Sequence, residues 1–208
     1  MVTMKNQSPK RFAFKVGKMY GNVVLHFGHS PETEFGLYGG AFHEAAQLLV
    51  EKLSLRRGYS DLDACPIVFL YRHSLELYCK AIVLAGNNLM SVSGKKLPIQ
   101  NNAIWCHRIG TLLPAIEKIF KEVKWKWEKG LGGFNNFQQL RVFINEIESI
   151  DPDSYAFRYP IKKTGIASIP KHFCFNVIDY AEKMDKLLDL LDGAATGLEV
   201  MFNDYCAS

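Results

Sequence analysis

Tyr71-Arg72-His73-Ser74-Leu75-Glu76-Leu77-Tyr78-Cys79-Lys80 is the stretch on which the fold turns. Around it Ile67, Leu70, Tyr71, Ser74, Leu75, Tyr78, Ile82 and Ala85 recur at intervals of three and four, the period of a helix that buries one face. The same helix carries a polar set. Arg72, Glu76 and Lys80 fall at i, i+4 and i+8, and His73, Glu76 and Lys80 at i, i+3 and i+7, so the four share a narrow strip. Either the strip is a row of exposed ion pairs worth about a few tenths of a kcal/mol each, or it meets partners from elsewhere in the chain.

Outward from that helix the pattern stays helical. Residues 37–56 place Ala41, Ala45, Leu48, Leu49 and Leu53 on one face, with Gly58 as the stop. Asp61 or Asp63 caps the second helix, Pro66 sits in its first turn, and Gly86-Asn87-Asn88 ends it. Residues 87–106 read as a polar connection. A third helix spans 107–129, with Pro114 kinking it or moving its start to Thr111; a fourth spans 135–150, up to Pro152. The fifth follows Pro170 on Val177, Ala181, Met184, Leu187, Leu188 and Leu191, with Gly193 and Gly197 interrupting it. Residues 1–35 differ: Phe12, Phe14 and Val16 alternate with polar positions and Val23, Val24, Leu25 and Phe27 follow, as in a short hairpin or extended arm. The expected architecture is an all-α, up-and-down bundle of four to five core helices over residues 36–208.

A chain of 208 residues with 48% apolar and 22% charged residues describes a globule with a proper core. The net charge of +4 admits an anionic partner without demanding one. No apolar run is long enough to span a bilayer, and the first 18 residues lack the apolar core of a secretory signal, so the expected location is cytoplasmic and no membrane partner is implied. The five cysteines, Cys65, Cys79, Cys106, Cys174 and Cys206, are scattered and include no Cys-x-x-Cys pair, which argues against a disulfide framework or zinc site. Cys106 beside His107 is not a thiol-imidazole pair on adjacency alone, because nucleophile and base must meet in space.

Three stretches then stand in order: Glu76-x-x-x-Lys80 on the second helix, His107 opening the third, and Phe157-Arg158-Tyr159-Pro160 after the fourth. Their order resembles the HEPN superfamily of helical bundles, in which a Glu-x-x-x-Lys helix precedes a His-Asp-Leu helix start and an Ala-Arg-Tyr-Pro segment. The resemblance covers roughly residues 40–190, with Glu76, Lys80, His107, Arg158, Tyr159 and Pro160 on the motif positions; Arg108 stands where the family often has Asp. It implies a helical bundle, a homodimer, no cofactor and no metal. Many members are metal-independent endoribonucleases of toxin and antitoxin pairs, phage defence or RNA processing; others are non-catalytic nucleotide-binding or partner-binding subunits. The nuclease members carry Arg followed four to six residues later by His, a spacing that no arginine here satisfies.

The candidate site is therefore Arg72, His73, Glu76 and Lys80 facing His107, Arg158 and Tyr159. Histidines titrating near neutrality can move protons and the cations can hold phosphate. The architectural alternative pairs Arg158 with Glu76 inside the protein and packs Tyr159 in the core. Three functions stay open: binding of RNA or a nucleotide without the standard HEPN catalysis, an interaction subunit that docks a protein, and a metal-independent endoribonuclease with a non-standard histidine. Two other clusters read as structural. Lys121, Lys124, Lys126 and Lys129 around Trp125 and Trp127 suit a helix C-terminus with tryptophans packed on the bundle. His26, His29, Glu32 and Glu34 suit a solvated loop.

Overall fold

The computed structural model describes residues 13, 18, 20–25, 28–56, 58, 60–96, 103–127, 133–169 and 172–207. Five helices form an all-α bundle: α1 (Pro31–Ser54), α2 (Ala64–Val92), α3 (Leu113–Glu122), α4 (Phe137–Ile150) and α5 (Val177–Ala207). No helix among the described residues is long and apolar enough to cross a membrane. α2 is the central rod and packs on α1, α3 and α5. Ahead of α3 the backbone carbonyl of His107 meets Arg72 of α2.

Each helix start has a local cause. α1 begins at Pro31 rather than near residue 37, because a proline at the first position needs no N–H partner and Glu32 and Glu34 face the positive helix end. Glu32 and Glu34 thus belong to a helix and not to a solvated loop; Glu32 accepts from Asn88 at 2.9 Å. Ser60 and Asp63 close a capping box over the short 3-10 turn Asp61–Asp63 that leads into α2, so Ser60 is the cap that the two aspartates were expected to supply. Pro114 stands in the first turn of α3, and the helix ends at Glu122. Lys124 then adopts a positive φ of 53°, and Trp125 turns back to stack on Phe120 at 5.0 Å between ring centres. Asn136 caps α4 by accepting from the Gln139 N–H at 3.0 Å. Asn176 does the same for α5 through Ile178 and Asp179.

The glycines explain where the sequence expectation fails. Gly86 does not end α2, which runs on through Asn87 and Asn88 to Val92. Gly86 is a packing position: an added Cβ would lie 2.6 Å from Cγ1 of the fully buried Ile119 on α3. Gly193 and Gly197 likewise do not interrupt α5, and each faces open space. Gly39 lets α1 lie against the Tyr78 ring, and Ser74 donates to the Gly39 carbonyl at 2.7 Å. Phe12, Phe14, Val16 and Phe27 of the expected hairpin or extended arm lie outside the described residues, and residues 21–25 form neither helix nor strand.

Asp185 on α5 fastens the remaining faces. One of its carboxylate oxygens sits 2.8 Å from His43 Nε2 of α1, accepts the Tyr71 hydroxyl of α2 at 2.8 Å, and accepts from Gln47 at 3.2 Å. Burial, reinforced by the Asp185 bond and charge, pushes the Tyr71 hydroxyl far above its ordinary value, so it remains a donor at all working pH.

Opposite outcomes are expected at the two kinds of glycine. Gly86→Ala should lose about 1–3 kcal/mol to overpacking, and Ile119→Val in the same chain should recover part of it. Gly193→Ala should gain about 0.5–1 kcal/mol. Urea unfolding of the variants measures all three.

Candidate functional site

Glu76 is the hub. It is buried on α2, and two cations and one imidazole reach it: Arg72 Nη1 at 3.1 Å, Lys80 Nζ at 2.8 Å, and His107 Nδ1 at 3.0 Å to one oxygen and 3.3 Å to the other. Of the two readings of the strip, the one with partners from elsewhere in the chain holds, and its i,i+4 pairs are buried. Burial pushes the Glu76 carboxyl up, but the Lys80 hydrogen bond and charge, with Arg72 and His107, outweigh it and hold the carboxyl below its ordinary value of 4.5.

Arg72 is fully buried and spends its fork on three directions. Beyond Glu76, Nη2 donates to the His107 carbonyl at 2.6 Å and Nε donates to the Asp151 carbonyl at 3.1 Å. Asp151 adds charge, with its carboxylate 3.6 Å from Nε, and its other oxygen accepts the Tyr155 and Ala156 N–H groups at 2.6 and 2.9 Å. One guanidinium thus ties α2 to the approach to α3 and to the end of α4. Asp151 was legible in the sequence only as the residue before a helix-breaking Pro152.

His107 differs from its partners in exposure. Its side chain is 57% exposed while Glu76 is 1%, so the carboxylate orients the ring through Nδ1 and leaves Nε2 on the outer side. Among the described residues Nε2 takes no protein partner. Cys106 does not pair with the imidazole; its sulfur accepts the Arg108 N–H at 3.3 Å.

Arg158 and Tyr159 do not join this network. The expected Arg158 to Glu76 pair is absent because Arg72 and Lys80 already occupy the carboxylate, and Arg158 donates instead to the Ser154 carbonyl at 2.6 Å. Its guanidinium lies over the Phe69 ring at 5.4 Å and the Tyr159 ring at 5.6 Å. Tyr159 is no core aromatic: it is 48% exposed and stacks on Tyr155 at 4.4 Å. On Phe69 the fourth expected residue appears, since His73 stacks on that ring at 5.7 Å with planes 8° apart, and Phe42 meets His73 edge-on at 4.5 Å. Burial lowers the His73 imidazole below its ordinary 6.5, ahead of the opposing pull of Glu76 and with help from Lys80, Arg72 and His107.

The seven residues thus divide between two neighbouring patches. Glu76, Arg72, Lys80 and His107 form the ionic one. Phe42, His73, Phe69, Arg158, Tyr159 and Tyr155 form a run of π-faces with one guanidinium in it. Phe69 and Glu76 are seven residues apart on α2, roughly 10 Å along the axis. Phe69 and Tyr155 were not read as site residues, and no motif flags them; only the fold brings them beside Arg158. No protein family, curated protein or solved structure matches this chain.

The two titrations are separable. Glu76, held below 4.5, contributes stability in full above that pH and loses it as the pH falls through its lower folded value. His73, held below 6.5, contributes in full above pH 6.5 and loses its share as the pH falls through its own lowered value. Urea unfolding against pH should show two acid-side losses, with His73→Phe removing the upper one. Glu76→Gln, which leaves Arg72 and Lys80 buried without a counter-charge, should cost about 3–5 kcal/mol at pH 7.

Proposed function

We propose that this protein is a HEPN-like bundle that binds RNA or a nucleotide at the aromatic patch around Arg158, without the standard HEPN catalytic pair. The observation that carries the reading is Arg158. It is exposed, flanked by Phe69 and Tyr159, and among the described residues no carboxylate pairs with it. A guanidinium held open between aromatic faces offers charge for a phosphate next to surfaces for bases, and stacking serves every base because each has a π-face. Lys162 and Lys163 follow on the turn that closes with Ser168 donating to the Pro160 carbonyl, and among the described residues neither forms an ion pair. Glu76, Lys80 and His107, the residues that carry the first two HEPN-like motifs, share one network, which supports that resemblance.

A second reading rests on His107. An imidazole oriented through Nδ1 by a buried carboxylate, with Nε2 facing solvent, is the arrangement of a general base. In a metal-independent cleavage Nε2 would take the proton of a ribose 2′-hydroxyl, whose oxygen attacks the adjacent phosphorus, the P–O5′ bond breaks, and the leaving 5′-oxygen takes a proton from solvent water. The third reading, a subunit that docks a protein, draws on the same exposed aromatics.

Fluorescence anisotropy of labelled single-stranded RNA at low salt in EDTA separates them. Arg158→Ala and Tyr159→Ala should each weaken binding at least about fivefold, the lower end of what loss of one stacked base costs at ~1 kcal/mol. His107→Ala should retain binding. If the wild type also cuts the RNA in EDTA, that cut should vanish in His107→Ala. Absence of binding to RNA and to nucleotides by the wild type would remove the first two readings and leave the docking subunit.

A further inference from the structure

Beside the aromatic row lies a cavity of about 360 Å³ whose wall includes Asp151, Asp153, Tyr155, Lys162, Lys163 and Thr164. Tyr155 belongs to both, since its ring stacks on Tyr159 at 4.4 Å. The lysines stand on a small closed turn. Gly165, at a φ of 79°, donates its N–H to the Lys162 carbonyl at 2.9 Å, Lys162 donates to the Ile166 carbonyl at 2.7 Å, and Ile161 pairs with Ala167. The backbone that carries the two ammonium groups is therefore held in place. The Asp151 side of the wall is fixed as firmly, because its carboxylate accepts the Tyr155 and Ala156 N–H groups.

The charges around this cavity do not balance. Asp153 is matched by Arg108 at 3.0 Å. Asp151 and Glu76 are matched by Arg72 and Lys80, two carboxylates against two cations. Lys162 and Lys163 are left over: both are exposed, and among the described residues neither forms an ion pair. Two adjacent cations on one concave wall gain most from a ligand that carries nearly two negative charges. An internal phosphodiester of RNA carries one. A terminal phosphomonoester carries about −1.5 to −2 at pH 7 and three strong acceptor oxygens. Those oxygens suffice for both ammonium groups and for the Thr164 hydroxyl, which can donate to the third.

We propose that this cavity is a subsite for a terminal phosphate, carried by an RNA end or a free nucleotide whose base stacks on the aromatic row. Tyr155, shared by row and cavity, sets the register. A base laid on the rings brings its terminal phosphate to Lys162 and Lys163, and Arg158 is left for a neighbouring diester. The subsite rests on the RNA or nucleotide reading and narrows it from any RNA to one with a phosphorylated end.

Competition against a labelled single-stranded RNA with hydroxyls at both ends, at low salt in EDTA, tests it. Of unlabelled copies with a 5′-phosphate, a 3′-phosphate or hydroxyls only, one phosphorylated copy should compete at least about tenfold better than the hydroxyl-ended one, the worth of a charge-assisted hydrogen bond. The double variant Lys162→Ala/Lys163→Ala should lose that advantage and still bind the hydroxyl-ended RNA. Lys183→Ala/Lys186→Ala, which removes two exposed lysines of α5, should keep it. A nucleoside monophosphate that competes as well as the phosphorylated RNA would identify a free nucleotide as the source of the phosphate. Equal competition by all three ends would overturn the subsite and leave the RNA reading standing. Loss of the advantage in both double variants would overturn it too, as general charge attraction. No binding of any RNA or nucleotide would remove the reading and the subsite together.

Discussion

A carboxylate in the middle of a helical core governs this structure. Glu76 and Arg72 are both withdrawn from water, and either one alone would be a costly buried charge. Together with Lys80 they satisfy one another, and the remaining nitrogens of Arg72 are completed by two backbone carbonyls, those of His107 and Asp151. Those carbonyls belong to segments far away in the chain. The guanidinium therefore acts as a gauge of the fold, since its bonds are complete only when the approach to α3 and the end of α4 have both docked on α2. A lysine in its place would supply the charge without the planar fork that reaches three directions at once.

The same constraint prepares the surface above it. His107 is gripped twice, its carbonyl by Arg72 and its ring by Glu76, so its imidazole is oriented although it is more than half exposed. Asp151, held by Arg72, fixes the turn at Tyr155 and Ala156 through two N–H bonds, and that turn delivers Arg158 and Tyr159 to Phe69. An interior ionic network thus positions an exterior row of rings and one open cation. The two patches differ because burial differs along α2: near Glu76 charges had to be neutralised by charges, whereas near Phe69 the ring faces suffice for a guanidinium that keeps its water.

The bundle, its helix count and the core face of α2 were legible in the sequence because a 3.6-residue period is a local property that burial imposes on every helix of this kind. Helix ends were less so. Gly86 reads as a stop by its intrinsic propensity, yet it is retained inside α2 because Ile119 of another helix leaves no space for a Cβ. Gly193 and Gly197 read the same way and are simply carried along by the packed face of α5. Pro31 and the capping box at Ser60 were local signals that a reading centred on apolar spacing passed over.

For the site, the chain by itself determined which side chains share a face of α2, since Arg72, Glu76 and Lys80 must line up on any helix. It determined too that such a strip on an apolar rod calls for partners. Only the tertiary structure decided who those partners are: His107 joined Glu76, while Arg158 went to Phe69, Tyr159 and the Ser154 carbonyl. The reason is competition. A carboxylate has few acceptor sites, two cations of its own helix fill them at no cost in chain entropy, and a distant arginine settles where aromatic faces and a free carbonyl remain.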